Sequence, residues 1–368
     1  MRYYGLDFAR ALLMIMGIAY HTALIYAPAG QQPWRVAAVT THPFFTGLAQ
    51  FIHDFRMFAF YIISGFFLSL LIGKSGTKQA LSNRWIRLGI PLVFCGLTIN
   101  TLMNLLSHQW RFHLGSTSEL SVYFLQGEWL GHLWFIGNLL AYCCVGVVLD
   151  RALRRIRHLA NPQTGSALLL IGTTVLAAII LAQLGHRIAS NVWIFISFDP
   201  LFLYFPFFIL GMVLWHNKAL FAMLTEWRLT LPLLVFSVFL LTIYNRIGSP
   251  AGSYTASQLV HVFYQLTLAL FILSVFCHFK HPNQLAKKFS MASYTIYLLH
   301  QPLVIVLFSV AQAMSLGPFA GFVFICLATT ALTYLIHVTV VDASPLAACL
   351  LNGKVPPAYA RTNTAAAA

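Results

Sequence analysis

The sequence predicts an all-α polytopic membrane protein, a bundle of about ten transmembrane helices with both termini cytoplasmic. Three observations carry that reading. Of 368 residues, 59% are hydrophobic and only 8% are charged, where a soluble domain carries about 25% charged residues. Apolar runs recur from end to end, each near the ~20 residues that cross a bilayer. The net charge of +14, from 22 Lys+Arg against 8 Asp+Glu, sits in short loops between those runs. Topology therefore explains the charge better than nucleic-acid binding, and no nucleic-acid partner is expected.

Hydropathy and chain breakers place the spans, in order, at 6–28, 51–73, 88–106, 129–149, 166–184, 200–215, 229–244, 259–279, 290–310 and 318–340. The first opens after a short charged start and closes at Pro28. The stretch Tyr26–Gly30 reads like a signal cleavage site. Cleavage there would discard Arg10 and His21, so an uncleaved first span is the expectation. Lys74, Lys78, Arg84, Arg87, the arginines from Arg151 to Arg157, Lys218, Arg228, Lys287 and Lys288 fall on one side of the spans. Arg35, Arg111, Arg187 and Arg246 fall on the other. Positive loops stay cytoplasmic, which sets the direction. Residues 1–345 thus form one transmembrane domain, and 346–368 a short cytoplasmic tail expected to be disordered. Cys95, Cys143, Cys144, Cys277, Cys326 and Cys349 lie in or beside apolar runs and imply no disulfide framework. No internal repeat of the transporter kind is visible.

Chemistry enters with the few polar residues kept inside apolar runs. Ten residues separate Arg10 from His21. Eleven helical steps turn about 1100°, so the two share a face roughly 16 Å apart. Asp7 lies one turn before Arg10 and can pair with it. The stripe Asp7, Arg10, Met14, Gly17, His21 should face the bundle interior, since a charge facing lipid costs several kcal/mol. His53 and Arg56 in the second span, His132 at the head of the fourth, His261 in the eighth and His300 in the ninth are expected to converge with His21 at one level. Histidine moves protons near neutral pH. A metal site is not expected, because no H-x-x-x-H pair or interior carboxylate cluster supports one.

Arg84 and Arg87 open the third span three residues apart. They suit phosphate groups, and spacing alone leaves plain positive-inside anchoring open. Trp34, Trp110, Trp129, Trp134 and Trp193 sit toward the opposite side. They can stack on sugar faces or simply form the interfacial aromatic belt.

The first-span Arg-x10-His pair, the "RWIRLGIP" stretch and "SYTIYLLHQPL" resemble the motifs of the membrane acyltransferase-3 family, over nearly the whole chain. The stretches "YYGLDFARALLMIMGIAYHTALIY", "FIHDFRMFAFYIISGFF" and "HLWFI" are similar to the branch that moves succinyl groups onto osmoregulated periplasmic glucans. The resemblance implies an O-acyltransferase in the bacterial inner membrane. Acyl-CoA, as succinyl-CoA, is its cytoplasmic co-substrate, with no tightly bound cofactor. A hydroxyl of a glucan or another glycan on the periplasmic side is the acceptor. It implies His21 as general base, with Arg10, His132 and His300 as catalytic partners. Arg84, Arg87 and Arg10 would hold CoA, and Arg56, His53, Trp134 and Trp129 would hold the acyl group or sugar. No glutamate follows His132, and the nearest is Glu128 before it. His21 is therefore expected to work among neutral or cationic neighbours. The donor's arm is expected to rise in a tunnel along Arg10, Met14, Gly17 and His21, with Gly17 leaving it room. A proton-coupled transporter of a small anion also fits intramembrane Arg and His residues, and acetyl transfer to another surface glycan is a further alternative.

Overall fold

The computed structural model describes residues 3–28, 36–106, 117–156, 164–188, 192–193, 196–247, 254–279 and 284–354. Among them, nine helices are long and apolar enough to cross a membrane. A further helix, Thr164–Ile188, contains a shorter apolar stretch, Leu169–Gly185. These are the ten spans expected, so the fold is an all-α membrane bundle.

Local chemistry sets the boundaries. Helix α1 (Tyr4–Tyr26) stops at Ala27, whose extended backbone (ψ 142°) is what a following proline, Pro28, demands. Helix α2 (Pro43–Ser75) has 33 residues and begins eight residues earlier than hydropathy places it. His42 caps it, its Nδ1 accepting from the Phe44 N–H at 3.2 Å, and Pro43 takes the first turn. Helix α3 (Thr77–Asn104) contains two π-helical turns, Trp85–Gly89 and Gly96–Asn100. A short helix α4 (Thr117–Leu125) follows in the next connection, and α5 (Gly131–Arg155) follows it. Helix α6 (Thr164–Ile188) leads to a minimal antiparallel ladder of β1 (Val192–Trp193) and β2 (Ile196–Ser197). Then come α7 (Phe198–His216), α8 (Lys218–Leu224), α9 (Trp227–Ile247) and α10 (Tyr254–Cys277). Helices α11 (Gln284–Ala313), α12 (Pro318–Ile336, prolonged by the π turn His337–Val341) and α13 (Pro345–Asn352) close the chain.

Helix α1 is the central strut, packed against α2, α10, α11 and α12. Helices α2 and α7 approach backbone to backbone. A Cβ on Gly65 would strike the Phe208 carbonyl, and one on Gly211 the Ile62 carbonyl. Small residues make such contacts possible in membrane bundles, where dispersion must hold helices together. Leu231, Val235, Val238 and Phe239 on α9, with Val323 and Leu327 on α12, are exposed and offer lipid an apolar face. The six cysteines are all free thiols.

Two buried carboxylates inside the bundle are paired. Asp150, fully buried, accepts from Arg154 Nε at 2.7 Å and meets His216 Nε2 at 2.8 Å. Asp54 accepts from Gln50 at 2.8 Å and Gln265 at 3.0 Å, and lies 3.1 Å from His261 Nε2.

The tail differs from the sequence reading. Residues 346–354 are not a loose end. Ser344 caps α13, its Oγ accepting from the Ala347 N–H at 3.3 Å, and the helix packs on α3 around Ile90–Cys95. Gly353 closes it at φ +56°, lying so tightly on Arg87 that a Cβ there would overlap the Arg87 backbone. The remaining tail residues fall outside the described residues, as do Trp34, Arg35, Trp110 and Arg111 and the side chains of Arg187 and Trp193.

Candidate active site

Two cavities lie along α1, end to end. The first, about 490 Å³, is walled by Asp7, Arg10, Met14, Phe60, Arg84, Arg87, Phe135, Lys287, Asn352 and Lys354, among others. The second, about 510 Å³, is walled by Met14, Tyr20, His21, His53, Arg56, Phe60, Glu128, His132, Trp134, Phe135, His300 and Gln301, among others. Met14, Phe60 and Phe135 line both. The Phe60 and Phe135 rings meet edge to face with centroids 4.6 Å apart. An apolar collar from α1, α2 and α5 thus divides a basic chamber from a histidine chamber.

The basic chamber gathers the expected arginines. Arg10 Nη2 stands 3.4 Å from Asp7 Oδ1, one turn back, and its guanidinium lies 5.4 Å from the Phe67 ring centre. Arg87 reaches the wall from the first π turn of α3, and Arg84 from the α-helical turn just before it. The Arg84 Nε is buried without a hydrogen-bond partner among the described residues, a costly state unless something else fills its site. Five basic side chains line this chamber against one carboxylate, Asp7. Lys287 and Lys354 are cations that sequence reasoning missed. A lysine in the first turn of α11 and a tail lysine carry no motif, and the fold alone brings them here.

In the histidine chamber, His300 is the middle of three rings. Its centroid is 5.3 Å from that of His21 and 5.1 Å from that of His132. His300 Nδ1 lies 2.6 Å from the Tyr297 carbonyl, to which it must donate. In the neutral ring this leaves the lone pair on Nε2. That atom is buried with no partner among the described residues. The Tyr297 hydroxyl donates to the His132 carbonyl at 2.7 Å, tying α11 to the head of α5. Arg56 stacks over Tyr20 at 4.9 Å, and Tyr20 stacks on His53 with centroids 5.8 Å apart.

Gly17 has a different task from the one expected. It walls neither chamber. A Cβ on it would stand 2.9 Å from Arg56 Nη1 and 3.2 Å from His300 Nε2. The missing side chain makes room for these two polar groups to approach one point, rather than for a ligand's arm.

Two expected residues stand elsewhere. Trp129 is buried against Gly96, its indole resting where a Cβ would be. The turn before α5, with Gly127 at φ +70° and Gly131 at φ +49°, sends it there while Gln126 and Glu128 reach the chamber. His261 faces Asp54 and stacks on Tyr244 with centroids 4.3 Å apart, away from the chamber. Glu128 supplies a carboxylate at the histidine chamber, where only neutral or cationic neighbours of His21 were expected. Trp134 does line the chamber, stacked 6.4 Å from Tyr204.

An "Acyltransferase domain" family model matches residues 3–338. Proteins named "Glucans biosynthesis protein C" are similar to this chain. Those of Escherichia coli O139:H28 (strain E24377A / ETEC) and of Escherichia coli (strain K12) are each 30% identical over 330 residues, covering 83% of this chain and 82% of the relative. The protein of that name from Shigella boydii serotype 4 (strain Sb227) matches to the same extent. No solved structure matches the chain.

Proposed function

This chain belongs to the membrane acyltransferase family whose domain spans residues 3–338, and from that premise we propose that it moves a succinyl group from cytoplasmic succinyl-CoA to a hydroxyl of a periplasmic glucan. The observation that carries the proposal is the pair of chambers meeting at Met14, Phe60 and Phe135. A bilayer core of ~30 Å separates the two substrates, so neither surface alone can host the reaction. The basic chamber faces the cytoplasm in this reading, with both termini on that side of the inner membrane. The relatives named for glucan biosynthesis support a glucan as acceptor.

Arg84 and Arg87 hold the CoA phosphates, with Arg10 at the entrance to the arm's path. The arm passes the apolar collar and presents the thioester to the histidine chamber. There His21 takes the proton of the acceptor hydroxyl as its oxygen attacks the thioester carbonyl carbon. Arg56, beside His300, stabilises the resulting oxyanion. The C–S bond then breaks, and the leaving thiolate takes the proton from His21. His132 and His300 orient the reacting groups, and His53 and Trp134 hold the sugar.

The test uses the purified protein in proteoliposomes, with labelled succinyl-CoA on one side and glucan on the other. Label appearing on glucan, with His21→Ala blocking transfer yet leaving CoA binding intact because His21 walls only the histidine chamber, is the expected result. Label carried across without an acceptor would instead make the protein a transporter, and absence of both activities would defeat the proposal.

A further inference from the structure

The family domain ends at residue 338, yet the basic chamber is not complete there. Asn352 and Lys354, beyond that boundary, form part of its wall beside Arg84 and Arg87. We infer that the C-terminal segment around α13 is a built-in part of the donor site, and that Lys354 contacts a phosphate group of the donor nucleotide. The inference rests on the donor reading above and extends it to residues outside the shared domain.

Three features fix the segment in place. Gly353 adopts a left-handed conformation, φ +56°, which lets the chain lie directly on the Arg87 backbone. The Thr295 hydroxyl donates to Asn352 Oδ1 at 3.1 Å and lies 2.8 Å from His337 Nδ1, joining α11, the π turn after α12 and α13 at one buried point. Lys354 Nζ stands 3.8 Å from Asp342 Oδ1, while Asp342 Oδ2 faces His337 Nε2 at 3.5 Å. Asp342 thus holds the lysine from outside the chamber wall, and Arg84, Arg87 and Lys287 remain there as further cations.

A second observation points to a ligand. The buried Arg84 Nε has no hydrogen-bond partner among the described residues. Such a donor beside a cluster of cations calls for an anion with several acceptor oxygens. Phosphate fits this better than a carboxylate, which has only two. The segment is also fastened to the backbone of Arg87, so one element positions two of the cations.

CoA binding to the purified, nanodisc-embedded protein tests this by titration. Lys354→Gln should weaken binding about threefold to tenfold, the scale of one charge-assisted contact at a half-exposed site. Lys354→Arg, which keeps the charge, should restore most of it. Lys74→Gln, an equal loss of charge on an exposed residue away from the chamber, should change nothing. Gly353→Val, which cannot sit on Arg87, should weaken CoA binding more than Lys354→Gln does. Unchanged affinity in Lys354→Gln, or a loss that Lys354→Arg fails to restore, would overturn the inference while leaving the donor reading in place. A wild-type protein that binds no CoA would overturn both, and is told apart by that fact.

Discussion

Replacing Gly17 by a larger residue perturbs the site at one defined point. A single added carbon would stand 2.9 Å from Arg56 Nη1 and 3.2 Å from His300 Nε2, where ordinary contact begins at 3.4 Å. In Gly17→Ala the guanidinium must therefore retreat by roughly 0.5 Å and the imidazole by roughly 0.2 Å. The first movement is easy, because Arg56 ends in a flexible arm. The second is not, because the Tyr297 carbonyl holds the His300 ring at 2.6 Å. The helix itself gains, since alanine is favoured over glycine in a helix interior by about 1 kcal/mol. A misplacement of 1 Å can cost about 10²-fold in rate. Half of that predicts about a tenfold loss of transfer, roughly 1.4 kcal/mol, with no fall in melting temperature. Gly17→Leu, whose branch extends further into the same space, should abolish transfer. CoA binding should survive in both, because Gly17 does not wall the basic chamber. The assay is label transfer to glucan in proteoliposomes, with CoA titration alongside. A Gly17→Leu protein that transfers at the wild-type rate would refute the geometric argument.

Other expectations follow from single residues. His21→Ala should keep the fold, since alanine suits a helix, and lose about 10²–10⁴-fold in transfer as a general base is removed; a thermal melt and the same assay check both parts. Arg84→Gln with Arg87→Gln should raise the Kd for CoA at least tenfold without altering binding of the glucan, and equal CoA affinity would reduce the pair to topology anchors. Lys218, outside the spans, is boxed by Trp215, Phe66 and Tyr3 at 3.1, 4.9 and 5.5 Å from its Nζ to their ring centres. Burial pushes its pKa down from 10.5 to about 8, so between those values the unfolded chain binds more protons than the folded one. Stability should therefore rise with pH across that window. The rise in melting temperature from pH 8 to 10 should be smaller in Lys218→Met, and an identical rise would remove Lys218 as its source.

The spans were legible because a lipid-crossing helix declares itself by length and apolarity. Helix α2 was longer than hydropathy showed, since its extra turns break their apolar run with Pro43, Thr46, Gly47 and Gln50. The Pro43 start was the signal that could have found them. Arg84 and Arg87 met in one chamber as their spacing suggested, and His21, His132 and His300 met in another. The misplacements have a common cause. Depth along a helix can be counted, whereas direction around it depends on which neighbours pack there. His53 and Asp54 are adjacent, yet about 100° of turn sends one to the chamber and the other to His261 and Gln265. Trp129 was diverted by a turn whose two glycines adopt positive φ. Lys354 could not be read at all, because it reaches its place only through α13 and the contact of Gly353 with Arg87.

The collar of Met14, Phe60 and Phe135 has a consequence beyond guiding a substrate. An energised membrane stores a proton gradient, and a continuous file of water through a protein would drain it. Histidines and arginines in the two chambers on either side of the collar invite such a file. Three side chains that offer water no hydrogen bond interrupt it. On the proposed two-sided reading, the collar would keep the two chambers electrically separate between turnovers, and the arm of a bound donor would take water's place whenever the collar parts. Trimming Phe60 and Phe135 to alanine would then threaten the cell through leakage, before any shortage of modified glucan was felt.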